Sequence, residues 1–219
     1  MKTDSIKQKI ENRIAHDPKG SVYTLADFYL AGCNYEAVKR AVARLTAEDK
    51  LVRVNKGVYQ SPYYSSFLRK QVAASPLDIA KKIADKNRWT IAPSGNTALN
   101  LLGLSTQVPA GYYFVSSGPY KEVELGKIRL SFKHVPLREI DGISPKSALV
   151  IEAIKALGKS GMDDVMREKI TRLLSDSEKK KLLHESLSSR VWVFEEVRKI
   201  VVMACPKSRD CQRNNTRLR

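Results

Sequence analysis

The sequence predicts an α+β protein with an N-terminal winged helix-turn-helix, then a mixed α/β domain with a mostly antiparallel sheet and a C-terminal helical region. Residues 24–60 show the pattern of helix, turn, second helix and β-hairpin. Residues 112–135 contain three strand-forming runs, and the chain beyond residue 144 contains four helical segments. The predicted domains are 1–70 (winged helix-turn-helix), 71–143 (α+β domain), 144–202 (helical region) and 203–219 (a polar, basic tail expected to be disordered).

The helix-turn-helix is predicted from its start and stop signals. Thr24 is a suitable N-cap for a short helix, and Asp27 three residues later completes a capping box. Gly32 then supplies the backbone freedom that a sharp turn between helices requires. Asn34 is a suitable N-cap for the second helix. The apolar positions of that helix follow the i, i+3, i+4, i+7 pattern of a core-facing stripe and are Val38, Ala41, Val42 and Leu45.

The opposite side of this second helix is basic. At about 100° per residue, Arg40 lies opposite the apolar stripe, and Lys39 and Arg44 flank it. Tyr35 lies in the first turn, where recognition helices contact base edges. The outward side therefore suits close approach to a DNA groove.

A short hairpin follows, and we refer to it as the predicted wing. Two β-forming runs, residues 51–54 and 58–60, are joined by Asn55-Lys56-Gly57, a loop with glycine at the left-handed position. Arg53 and Lys56 place positive charge near its tip. The predicted DNA-binding residues are Asn34, Tyr35, Lys39, Arg40, Arg44, Arg53 and Lys56. The alternative interpretation is a small α/β scaffold whose surface cations are merely solvated.

The charge balance favours a polyanionic partner. Lys and Arg number 39 against 23 Asp and Glu, which gives a net charge of +16. The excess is +6 in residues 1–70, +4 in residues 71–150 and +6 in residues 151–219, so it is not confined to one tail. Such a charge attracts nucleic acid but does not distinguish DNA from RNA or from an acidic protein.

A cytoplasmic location is expected. Residues 1–16 lack the apolar core of a secretory signal, and no apolar run reaches the length of a membrane span, so no membrane partner is expected. Cys33, Cys205 and Cys211 are odd in number and lack metal-ligand spacing, which favours reduced thiols and no metal site.

The remaining elements are predicted from periodicity and capping signals. A helix is expected at 5–16 and a strand at 21–23, and a connector runs from 61 to 75. The helix at 76–87 is expected to turn Lys81, Lys82 and Lys86 outward. Further along, the predicted strands are 89–92, 112–116, 121–125 and 127–135, and the predicted helices are 97–102, 148–157, 163–174, 176–187 and 190–202.

No catalytic or cofactor site is predicted. The turn Pro93-Ser94-Gly95-Asn96 lacks the glycine spacing and lysine of a P-loop, and Ser94 lacks the surroundings of an activated nucleophile. The three histidines are isolated in sequence. The acidic pair Asp163-Asp164 is explained by a helix N-terminus, which favours negative charge. We therefore expect a protein that is not an enzyme and uses no cofactor.

Two segments resemble a known family. The run TIAPSGNTALNLLGLSTQVP at residues 90–109 and the predicted wing at residues 53–59 resemble the AbiEi antitoxins, the DNA-binding half of bacterial AbiE-type (type IV) toxin–antitoxin and abortive-infection systems. The resemblance covers roughly residues 1–140. It implies a repressor that binds inverted repeats in its own promoter, with self-association on the double-stranded DNA. It also implies that the chain counters a nucleotidyltransferase-like toxin, through direct binding or only functionally.

Two alternatives belong to other classes. The first is a transcription regulator with a ligand- or partner-sensing second domain and no toxin. The second is an enzyme acting on nucleic acid with the winged helix as its targeting arm, which would require carboxylates or a nucleophile–base pair converging in the middle domain.

Overall fold

The computed structural model describes residues 5–29, 34–67, 69–107 and 111–203. The chain divides into two compact units: residues 1–89 with 123–130, and residues 90–122 with 131–219. The predicted α+β class is confirmed, since helices alternate with sheets whose strands pair antiparallel. The predicted boundaries at residues 70, 143 and 202 stay predictions.

The first unit contains three helices and two small sheets among its described residues. Its helices are α1 (Ile6–His16), α2 (Tyr35–Ala47) and α3 (Pro76–Asn87), with a short 3-10 helix at Leu25–Phe28. Its strands are β1 (Val22–Thr24), β2 (Val52–Asn55), β3 (Val58–Gln60), β4 (Tyr64–Ser65) and β5 (Lys70–Gln71).

The three-stranded sheet of this unit has the order β1-β3-β2. β1 pairs with β3 from Val22 opposite Gln60 to Thr24 opposite Val58. β2 pairs with the other edge of β3, and a bulge separates Arg53 from Asn55. The short strand expected at residues 21–23 therefore forms as β1 and pairs with the hairpin.

Apolar side chains of α1, α2 and the 3-10 helix form one core. Phe28 stacks on Tyr23 with ring centroids 4.9 Å apart. The buried members of this core are Ile10, Tyr23, Phe28, Val38, Ala41, Val42, Leu45 and Leu51. The four α2 positions predicted from periodicity are all among them, which confirms the orientation of that helix.

The second unit adds a larger sheet and the helical region. Its strands are β6 (Ile91–Pro93), β7 (Gly111–Ser116), β8 (Lys121–Leu125) and β9 (Ile128–His134), in the order β6-β7-β9-β8, except that residues 123–130 of β8 and β9 are grouped with the first unit. Its helices are α4 (Gly95–Leu101), α5 (Pro145–Leu157), α6 (Asp164–Leu173), α7 (Asp176–Glu185) and α8 (Val191–Met203), with 3-10 turns at Leu137–Glu139 and Ser186–Ser188. Side chains from α4 to α8 form its main core.

The structure differs from the predicted elements at several places; helix α5, for example, begins at Pro145 rather than at residue 148. Helix α4 begins at Gly95, two residues earlier than expected; Ser94 before it is extended, and Gly95 has a positive φ of 55°, which favours glycine. The expected connector at residues 61–75 contains the β4–β5 pair. Lys82 is not turned outward but is half-buried against Asp27, so that prediction was wrong.

Several predictions lie outside the described residues. These are the turn at Gly32, the three cysteines and the tail from residue 204. Among the described residues, no helix combines the length and apolar character required to span a membrane.

Candidate nucleic-acid interface

Helix α2 separates an apolar side from a cationic side. Its N-cap is Asn34, whose Oδ1 accepts a hydrogen bond from the backbone N–H of Glu36 at 2.9 Å. Val38, Val42 and Leu45 are completely buried. The exposed side carries Tyr35, Glu36, Lys39, Arg40, Ala43, Arg44 and Ala47. The helix therefore exposes Lys39, Arg40 and Arg44 to solvent while its apolar side packs in the core.

The cations on this side differ in how they are paired. Lys39 Nζ lies 3.5 Å from Glu36 Oε1 across one turn, with both side chains more than half exposed. No carboxylate in the described part of the chain forms an ion pair with Arg40 or Arg44. Tyr35 is 53% exposed at the first turn of the helix. The guanidinium groups of Arg40 and Arg44 can therefore donate hydrogen bonds to an external acceptor.

The hairpin follows α2 directly. The backbone N–H groups of Lys50 and Leu51 both donate to the carbonyl of Leu45, at 2.9 and 3.2 Å, and Asp49 adopts a left-handed conformation. Leu51 is buried in the same core as the α2 stripe. This tight connection fixes where strand β2 starts relative to the helix.

The turn between β2 and β3 has two residues, Lys56 and Gly57, rather than the expected three, because Asn55 belongs to β2 and pairs with Val58. The predicted left-handed glycine is confirmed. Gly57 has a φ of 72°, and Asn55 Oδ1 accepts a hydrogen bond from the N–H of Lys56 at 2.6 Å. Arg53 and Lys56 are both exposed. All seven predicted DNA-binding residues are thus on the surface, five on or at the start of α2 and two on the hairpin. Nothing in the structure tests whether they bind DNA.

Two other lysines of the first unit are paired with carboxylates. Lys7 Nζ lies 2.6 Å from Glu48 Oε1, and Lys50 Nζ lies 2.6 Å from Glu11 Oε1 and 3.3 Å from Glu48 Oε2. The hydrogen bond from Lys7 lowers the pKa of Glu48 below its ordinary value. This cluster ties α1 to the end of α2, so these lysines contribute less to an anion-binding surface.

Helix α3 carries two contacts that sequence reasoning missed. Lys82 Nζ lies 2.8 Å from Asp27 Oδ1, while Lys86 Nζ donates to the carbonyl of Lys56 at 2.7 Å. Burial raises the pKa of Asp27, but hydrogen bonds from Lys82 and Thr24 outweigh it and leave the pKa below its ordinary value. In sequence, these lysines look like any solvated helix face, so no local signal distinguishes them.

Three of the polar groups considered for chemistry have structural partners. Asp163 Oδ1 caps α6 by accepting from the N–H of Met166 at 2.7 Å, as the helix-terminus interpretation predicted. His134 Nδ1 lies 2.9 Å from the carbonyl oxygen of Gly118, and His16 Nδ1 lies 2.7 Å from that of Asn12. The described residues contain no group of three or more His, Cys, Asp or Glu side chains arranged to hold a metal ion.

Comparison with known proteins places the chain in a family. A search of curated proteins found no match. Among solved structures, the chain is similar to the crystal structure of the RV2827C protein from Mycobacterium tuberculosis, with 13% identity over 93% of this chain and 78% of that chain and a TM-score of 0.43. A similarity at that score supports no argument about function. The family model described as "Family of unknown function (DUF6088)" matches residues 9–182, which is most of the chain. The chain therefore belongs to DUF6088.

Proposed function

We propose that the first unit is a winged helix-turn-helix that binds double-stranded DNA. The observation that carries this proposal is the division of α2, whose apolar stripe is buried while its predicted contact residues are all exposed. The order of α1, β1, 3-10 helix, α2, β2 and β3 is the order in which such modules place a recognition helix and a wing.

The proposed roles follow from side-chain chemistry. Arg40 and Arg44 donate paired hydrogen bonds to the acceptors of guanine in the major groove. Tyr35 contacts base edges from the first turn. The Oδ1 of Asn34 accepts the hydrogen bond that caps the helix. The side-chain NH2 group of Asn34 is therefore the part that donates a hydrogen bond to DNA. The hairpin residues Arg53 and Lys56 contact phosphates or the minor groove and fix the register.

The resemblance to AbiEi antitoxins supports a more specific role. The protein would repress its own operon by binding inverted repeats, and its second unit would counter a nucleotidyltransferase-like toxin, directly or only functionally. The broad cationic excess is compatible with DNA binding over several half-sites. Membership of DUF6088 assigns no function in its own right.

A DNA titration tests the binding proposal. Wild-type protein should shift a duplex carrying the upstream promoter at concentrations that leave an unrelated duplex free. The double variant Lys39→Ala/Arg40→Ala should lose this preference. A matched control removes the same charge from exposed sites of the second unit, Lys180→Ala/Arg172→Ala, and should bind as wild type does. If the double variant keeps full affinity and preference, α2 is not the reading element.

The toxin part of the proposal is tested separately. Co-expression with a neighbouring nucleotidyltransferase-like protein should relieve its toxicity, and variants in α2 that lose DNA binding should still relieve it. If no such protein is encoded alongside, the alternative is a transcription regulator with a ligand- or partner-sensing second unit and no toxin. That alternative retains the DNA-binding proposal and replaces only the partner.

A further inference from the structure

We infer that α3 is a structural brace for the DNA-contacting elements, with Lys82 and Lys86 as positioning residues. Lys82 holds the 3-10 helix of the helix-turn-helix, and Lys86 holds the β2–β3 turn. The functional meaning of this inference rests on the proposed DNA binding, but the brace can be tested without DNA.

Helix α3 is anchored to the sheet of its unit. Its inner side buries Ile79, Ala80, Ile83 and Ala84, and it packs against β1 and β3. β3 is the central strand that joins β1 to the hairpin strand β2. A helix fixed in this way provides a rigid base from which side chains can hold neighbouring loops.

Lys82 contacts the carboxylate that caps the 3-10 helix. Asp27 Oδ2 accepts from the N–H and the hydroxyl of Thr24, at 2.6 and 2.9 Å, which completes the capping box. Its other oxygen, Oδ1, is 2.8 Å from Lys82 Nζ, and these side chains are 27% exposed for Lys82 and 22% for Asp27. This ion pair is more shielded from solvent than a typical surface pair, so it holds the 3-10 helix against α3.

Lys86 contacts the turn of the hairpin. Its Nζ donates to the carbonyl of Lys56 at 2.7 Å. A Cβ placed on Gly57 would lie 2.8 Å from Lys86 Nζ and 3.3 Å from its Cε, so the lysine chain passes directly over the turn. The turn needs glycine for its positive φ, and the absence of a side chain also admits Lys86.

The spacing of the two lysines explains how one helix reaches both elements. Residues at i and i+4 lie on one side of a helix about 6 Å apart along its axis. A winged module must place its helix-turn-helix and its hairpin on the same DNA duplex. The 3-10 helix belongs to the helix-turn-helix, and the β2–β3 turn belongs to the hairpin. The brace therefore fixes the distance between the helix-turn-helix and the hairpin, and any displacement of α3 would move both.

Hydrogen exchange of the full-length protein without DNA tests the brace. Lys86→Met keeps the apolar stem and removes the donor, so amides of residues 55–58 should exchange at least about fivefold faster while residues 25–28 change less than twofold. Lys82→Met should show the reverse pattern. Lys81→Met, an exposed position on the same helix, is the matched control and should change neither. If Lys82→Met fails to fold, Asp27→Asn replaces it.

DNA titrations at several salt concentrations distinguish positioning from direct phosphate contact. Lys86→Met should weaken promoter binding several-fold with an unchanged salt slope, and Lys86→Arg, which retains a donor, should restore most of the affinity. Lys56→Met, in contrast, should reduce the salt slope by about one. A reduced slope for Lys86→Met with unchanged exchange would make Lys86 a phosphate contact and overturn the brace.

The two proposals fail in different ways. Unchanged exchange in both lysine variants contradicts the brace even if the protein binds its promoter. Altered exchange in a protein that binds no promoter DNA contradicts the proposed function and leaves the brace in place as a structural feature.

Discussion

The two ends of the chain have the same excess charge but use it differently. Residues 1–70 contain 13 basic against 7 acidic residues, and residues 151–219 contain 16 against 10. On the outward side of α2 and on the hairpin, no carboxylate of the described ranges forms an ion pair with Arg40, Arg44 or Arg53. In the helical region, many cations are paired within or between helices, as in Lys155–Glu152, Arg167–Glu196, Arg172–Glu168, Lys179–Asp176 and Lys199–Glu196.

This difference shows that net charge alone does not locate a binding surface. A cation already facing a carboxylate gains little from a phosphate, because the first contact must be disrupted. A cation that faces only solvent exchanges bound water and counterions for the phosphate. Pairing, which depends on tertiary structure, therefore decides which part of a uniformly basic chain is suited to nucleic acid.

The largest expected effect is a loss of stability on removing a paired cation of the helical region. Arg167 donates to Glu196 Oε2 from Nε at 3.0 Å and from Nη2 at 2.9 Å, and the side chains are only 14% and 7% exposed. Arg167→Ala should lower the free energy of unfolding by about 3–5 kcal/mol, because it leaves the Glu196 carboxylate buried with one partner fewer. Urea denaturation measures this loss.

The control for that variant is Arg172→Ala, which removes an exposed partner of Glu168 on the same helix. It should change stability by less than about 1 kcal/mol. Equal losses in the two variants would show that the Arg167–Glu196 contact has no special structural role. Neither variant should change promoter affinity when measured under conditions in which the protein is folded.

An intermediate effect, a loss of DNA affinity, is expected on removing an exposed cation of α2. Arg40→Ala should weaken binding to the upstream promoter by about 1–3 kcal/mol and relax the base preference at one position of the site. The free energy of unfolding should change little, because Arg40 is exposed and no ion pair in the described ranges involves it. Fluorescence titration against a set of single-base promoter variants measures both affinity and preference. Uniform weakening across all bases would assign Arg40 to a phosphate instead.

The smallest effect concerns acid stability in the helical region. The hydrogen bonds that Glu178 accepts, first from Lys146 and then from Ser175, hold its pKa at about 2 rather than 4.5. Because the folded-state pKa is depressed, these contacts stabilise the protein fully above pH 4.5, and the stabilisation is lost as the pH falls through about 2. Glu178→Gln keeps the capping hydrogen bond and removes only the charge.

Chemical denaturation of wild type and Glu178→Gln over a pH series measures this effect. The wild-type protein should be the more stable of the two at neutral pH, and the difference should shrink progressively below pH 4.5. A difference that is independent of pH would show that ionisation of Glu178 contributes nothing.

Much of the first unit could be predicted because its signals are local. The apolar positions of α2 repeat with the period of a helix, so their burial follows from the sequence of that helix alone. The effects of the capping residues Thr24 and Asp27 are likewise local, since they involve residues only a few positions away. The same holds for the glycine of the hairpin turn. The DNA-binding residues were selected on the same basis and stay a prediction.

Other features could not be predicted because they join distant parts of the chain or lack a pattern. The ion pair of Lys82 with Asp27 spans 55 residues, and nothing around Lys82 differs from an ordinary solvated helix face. Strands β4 and β5 have two residues each, too few for an alternating pattern to be recognised. The early start of α4 depends on the conformation of Ser94 and Gly95, where the sequence indicated only a turn.

The sequence by itself determined helices α1 to α3 and strands β1 to β3 of the first unit, the buried side of α2 and the overall cationic charge. These properties depend on residue type and on spacings of a few residues, so they do not require contact between distant segments of the chain. Only the tertiary structure decided which cations face carboxylates and which face solvent, and that α3 braces both the 3-10 helix and the hairpin turn. Charge pairing depends on side-chain distances of a few ångströms, and those distances exist only after the chain has packed.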